Sequence, residues 1–103
     1  MGILNMLFGG GGASEKVQEM LANGAVVIDV RSVDEYRGGH VAGSMNIPLH
    51  TLEGHVEKIK KLNKPVVVCC ASGMRSGQAA SLLRRHGVEC ENGGGWHQVN
   101  AML

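Results

Sequence analysis

The sequence predicts an α/β fold, a three-layer sandwich whose central, mainly parallel sheet of four or five strands lies between helices. Three observations carry this expectation. Two continuous runs rich in β-branched residues, AVVIDV at 25–30 and PVVVCC at 65–70, have the pattern of strands covered on both faces. Segments of helical periodicity alternate with them, and parallel strands need such crossovers. Composition agrees, because 44% of the chain is hydrophobic while only Phe8, Tyr36 and Trp96 are aromatic, so Val, Ile, Leu, Met and Ala must fill the core. At 103 residues the chain is expected to be one small domain.

The glycine run Gly9 to Gly12 separates MGILNMLF from the rest of the chain, which makes residues 1–12 an N-terminal segment with a Gly-rich linker and residues 13–103 the domain. Ile3 to Phe8 could supply an edge strand, form a short helix or remain mobile. From Ser14, SEKVQEMLANG carries an N-cap candidate, an early acid, Val17, Met20 and Leu21 at helical spacing, and Gly24 as a stop. The strand at 25–30 comes next. SVDEYRGGHVAGSMNIP reads as turn-rich and TLEGHVEKIKKLN as helical, with Pro48 and Pro65 as punctuation before the second strand. SGQAASLLRRHG then predicts a helix ended by Gly87, and VECEN a short strand.

A formal charge of +1 argues against a nucleic-acid footprint, so Lys58, Lys60, Lys61 and Lys64 read as a solvated helix face. No apolar run approaches the roughly 20 residues of a membrane helix. The opening MGILNMLF lacks a secretory pattern, and Met6 argues against myristoylation. A cytoplasmic monomer is expected, without contact to nucleic acid or membrane. Cys69, Cys70 and Cys90 make an odd count with no CxxC spacing, which favours free thiols over a metal site; no cofactor or metal is expected.

The candidate chemistry lies in VVVCCASGMRSGQAA, residues 66–80. Ligands gather beyond the carboxyl ends of strands in such sheets, where the loop Ala71, Ser72, Gly73, Met74 and Arg75 joins a central strand to a helix. Strand alternation points Cys70 at this site and Cys69 into the packed layer on the other face. A loop curling around one sulfur aims amides at it, and the helix adds its dipole. An ordinary thiol of pKa near 8.5 is only about 3% ionised at neutral pH; lowering it by about two units, worth about 2.7 kcal/mol, makes the thiolate the majority form. Loop amides and Arg75 are expected to supply this. Gly73 permits the curl, Ser72 and Ser76 offer hydroxyls, and Gly77 allows close helix approach.

VVIDVRSVDEYRGGHVAGSMNIP, VVVCCASGMRS and the late GGGW together resemble the rhodanese-like domains in their small single-domain form, over most of residues 14–103. The resemblance implies that Cys70 accepts a sulfane sulfur from a small anionic donor such as thiosulfate, becomes a persulfide and passes the sulfur to cyanide, a thiol or an acceptor protein. The loop residues Ala71 to Arg75, with Arg31, would bind the substrate. Four residues separate Cys70 from Arg75, the spacing of sulfurtransferases, whereas the related cell-cycle phosphatases have one more, so phosphatase activity is the less favoured reading. A persulfide carrier or interaction module without free turnover is the alternative of another class. Asp29 and Glu35 are expected to orient Arg31. His40 reads as a packing residue rather than a base, the other histidines as surface residues, and Trp96 as packing for the final segment. The family's usual first strand falls on the glycines here, so either Ile3 to Phe8 replaces it or the sheet is one strand short.

Overall fold

The computed structural model describes residues 11–103 of the chain. Helix α1 (Gly11–Ala22) begins before the expected cap, with Ser14 inside it. Burial of Val17 and Met20 at 1% and 6% exposure anchors it, so tertiary packing outweighs the weak propensity of its leading glycines. It ends as expected at Gly24, whose φ of +90° allows the Gly24 and Ala25 amides to reach back to Leu21 and Met20. The expectations for Ile3 to Phe8 fall outside the described residues.

Strand β1 (Val26–Asp29) leads through Ser32 into a short helix α2 (Val33–Arg37), and strand β2 (Met45–Asn46) follows. These last two elements interrupt the segment read as turns. Ser32 and Glu35 form a reciprocal capping box, enough to stabilise a helix of one to two turns that has no buried residue of its own. The predicted helix after Pro48 divides into a 3₁₀ segment (Leu49–His55) and α3 (Val56–Lys61). Strand β3 (Val66–Cys70), α4 (Met74–Arg85), β4 (Cys90–Gly95) and α5 (Trp96–Ala101) complete the chain. Strand β4 runs further than VECEN suggested, through the glycines, and α5 was not anticipated.

All pairings are parallel, in the order β2-β1-β3-β4, giving four strands among the described residues. Alternation along the central strands divides the core. Ile28, Val66, Val68 and Cys70 face Leu52, Ile59, Ala79 and Leu83 of the helices on one side. Val27, Val67 and Cys69 face Val17, Met20 and Val99 on the other. No helix among the described residues is long and apolar enough to cross a membrane.

Candidate active site

The carboxyl ends of β1 and β3 lie side by side, and each carries polar groups that the apolar layers beneath cannot accommodate unpaired. Cys70 ends β3 with only 1% exposure. The Gly73 amide donates to its Sγ at 2.9 Å and the Ser76 amide at 3.4 Å, while the Ser76 hydroxyl lies 3.3 Å away. Gly73 makes the curl with φ of +103°, a conformation that disfavours a side chain. Burial alone would push the Cys70 thiol up, but the Ser76 hydroxyl and the amides of Ser76, Gly73 and Ser72 outweigh it and hold the thiol below its ordinary value.

Its neighbour has the opposite character. Cys69 is pushed up to about 12 by burial, with the charge of Asp29 adding to the effect. Cys90 is 3% exposed and likewise raised to about 12 by burial.

Of the two acids expected to orient Arg31, Asp29 does so and Glu35 does not. Asp29, fully buried, binds Arg31 through its carboxylate: Nε donates to both oxygens at 3.0 Å and Nη2 to Oδ2 at 2.7 Å. The Arg31 guanidinium also donates to the Gly39 carbonyl at 2.7 Å and lies 5.0 Å from the Trp96 ring centre. Arg31 is 5% exposed and holds the end of β1 against the turn at Gly39. Glu35 does not orient Arg31. It binds Arg75 bidentately, at 2.7 and 3.0 Å, and this pairing is the main cause that lowers Glu35 to about 2. Arg75 is therefore tied to α2, and the donors nearest the sulfur are the loop amides and Ser76.

Ala71, Ser72 and Met74 are exposed, Met74 to 77%. Beside the loop, Val30, Ser32, Pro48, Leu49, His50 and Arg75 line a cavity of about 320 Å³. A slightly larger cavity, about 360 Å³, lies between Lys60, Lys64 and Glu89 and includes none of the loop residues. Size does not decide between them; only the first adjoins Arg75.

His40 bonds the Tyr36 carbonyl at 2.8 Å and stacks on the Tyr36 ring at 3.7 Å, consistent with packing. His55 is half-buried and bonds the Thr51 carbonyl, whereas His50, His86 and His97 are exposed. No group of side chains among the described residues could hold a metal ion.

Sequence reasoning missed Asn92. Its Oδ1 accepts from the Ser76 hydroxyl at 2.6 Å and from the Gly94 amide at 2.9 Å, and its Nδ2 donates to the Gly73 carbonyl at 3.0 Å. The glycines after it also bear on the loop, since a Cβ at Gly95 would stand 2.8 Å from the Ala71 carbonyl oxygen. The GGG run was the signal in the sequence: three glycines ending a strand imply that another segment passes close.

Residues 13–101 match the family model described as rhodanese-like domain. The chain is 44% identical over 63 residues to the uncharacterized protein YqhL of Bacillus subtilis, a match covering 61% of this chain and 49% of that protein. It is 34% identical over 73 residues to the thiosulfate sulfurtransferase GlpE of Ectopseudomonas mendocina, covering 71% and 66% of the two. Among solved structures it is similar to the human single-domain sulfurtransferase TSTD1, with 30% identity and a TM-score of 0.66 over 82% of this chain and 88% of that one. The matches span about half to two thirds of the length of these curated relatives.

Proposed function

The chain belongs to the rhodanese-like domain family, and from that premise we propose that it is a sulfurtransferase working through a persulfide on Cys70. The donor is a small sulfane-sulfur anion such as thiosulfate, and the acceptor is cyanide or a thiol. The observation that carries this reading is the convergence of the Gly73 and Ser76 amides and the Ser76 hydroxyl on one sulfur at the mouth of a parallel sheet. Fixed donors of this kind favour the anionic sulfur.

In the first step the Cys70 thiolate attacks the outer sulfur of thiosulfate. A new S–S bond forms, the bond to the sulfonate sulfur breaks, and sulfite leaves with the electron pair. The loop then holds the persulfide anion as it held the thiolate. In the second step cyanide or a thiolate attacks the outer sulfur, the persulfide bond breaks, and Cys70 recovers its thiolate. Dividing the transfer in this way is covalent catalysis. Ala71, Ser72 and Met74 present the exposed loop surface to the donor, Arg75 lies at the mouth with Glu35, and Arg31 steadies the end of β1.

Intact-mass measurement after thiosulfate treatment tests the assignment: one sulfur is expected on the native protein and none on Cys70→Ser. Equal gain by the variant would remove Cys70 from the reaction.

The pairing of both arginines with acids favours a second reading, a persulfide carrier served by protein partners rather than by small anions. Persulfidated protein mixed with cyanide or with cell proteins separates the two. Rapid turnover on cyanide identifies an enzyme, and selective transfer to one protein identifies a carrier.

A further inference from the structure

Gly73, at the end of the loop, and Ser76, in the first turn of α4, direct amides at the Cys70 sulfur. The same two residues are held through their remaining polar groups by one side chain on another strand: Asn92 donates to the Gly73 carbonyl and accepts from the Ser76 hydroxyl. Its carboxamide has a single workable orientation. The Gly94 amide needs Oδ1 as acceptor and the Gly73 carbonyl needs Nδ2 as donor, so a flip would break both. Strand β4 is built for this. Its register against β3 shifts between Val68 and Cys69, so that Val68 pairs with Asn92 but Cys69 with Gly94, leaving Gly93 as the extra residue. Asn92 thus lies on the Cys70 side of the sheet, and Gly77 leaves room for it, since a Cβ there would approach Nδ2 to 3.4 Å.

We propose that Asn92 is a positioning residue for the Cys70 sulfur, a brace that fixes Gly73 and Ser76, two of the residues whose amides face the sulfur, and governs the Ser76 hydroxyl. The proposal deepens the sulfurtransferase reading, since it concerns the same sulfur. Ser76 has one hydroxyl proton. Donating it to Asn92 at 2.6 Å, Ser76 can meet a neutral Cys70 thiol only as acceptor. When the sulfur becomes anionic the hydroxyl turns to donate to it, and the Gly94 amide keeps Oδ1 satisfied. A residue that merely tied β4 to the loop would affect stability alone.

The test is the pH dependence of Cys70 alkylation by iodoacetamide, followed by peptide mapping in the full chain. Asn92→Ala frees the Ser76 hydroxyl to donate to the sulfur but loosens the Gly73 and Ser76 amides. Because two donors are lost against one released, the midpoint is expected to move up by about one unit, an approximately tenfold loss of thiolate below the midpoint. A folded variant with an unchanged midpoint overturns the proposal. In the unaltered, ¹⁵N-labelled protein the Asn92 side-chain amide resonances are expected to titrate with the same midpoint as alkylation, and a flat response overturns it without any variant. Neither measurement uses a sulfur donor, so absence of persulfidation would sink the sulfurtransferase reading and leave the brace standing.

Discussion

Glu35 has two duties. Its Oε1 accepts from the Ser32 amide to cap α2, and its carboxylate neutralises Arg75 at the rim of the loop. The second duty gives Arg75, read from the sequence as a binder of the anionic donor, a carboxylate partner within the fold. Glu35→Gln keeps an acceptor for Ser32 but removes the charge. The KM for thiosulfate is expected to fall about threefold, with kcat changed less than about twofold, because a released cation adds attraction without touching the sulfur. Steady-state kinetics at low and high salt would check it, and a raised KM would mean that Glu35 instead aims Arg75 at the donor. Glu35 is lowered to about 2 in the fold. Its contribution is therefore fully present above the ordinary glutamate pKa and is lost as pH falls through about 2. Cys70, Arg75 and the opposed Cys69 were legible in the sequence because alternation and loop position fix them. The Glu35 pairing was not, because residues 40 positions apart meet only through the fold.

At the scale of elements, legibility followed the length of the apolar signal. Strands β1 and β3 announce themselves by β-branched runs, and α4 by its periodicity and its stop at Gly87. Strand β2, two residues long, and α2, with no buried residue, offer no periodicity to read. The end of β4 hid in glycines, which have low strand propensity yet are required where the loop passes. Gly95 tests that requirement cleanly. Its φ of −70° suits any residue, so Gly95→Ala adds only a methyl group, 2.8 Å from the Ala71 carbonyl oxygen. A stability loss of about 1–3 kcal/mol in urea unfolding is expected from such crowding. Cys70 alkylation is expected to slow with it as the loop shifts. A variant with unaltered stability and reactivity would show that the close approach is not a constraint.

Across the whole molecule, three buried thiols divide by environment, and the division sets an alkaline limit. Cys69 and Cys90 are raised to about 12, so the fold favours their neutral forms. Their contribution is complete below the ordinary thiol value and is lost as pH rises from about 9 toward about 12. Urea midpoints are expected to decline over that window, and less steeply in a Cys69→Ala, Cys90→Ala double variant; parallel declines would assign the loss to other groups. The two cores also bear on the persulfide proposed for Cys70. Cys69 faces the opposite layer from Cys70, and Cys90 pairs with Val66, four residues along β3 from Cys70 and so roughly 13 Å away at strand spacing. No thiol of the same chain stands where it could attack a Cys70 persulfide and close a disulfide. If Cys70 is loaded as proposed, discharge would be second order, its rate set by the concentration of an outside acceptor, and the loaded protein would keep its sulfur for as long as no acceptor arrives.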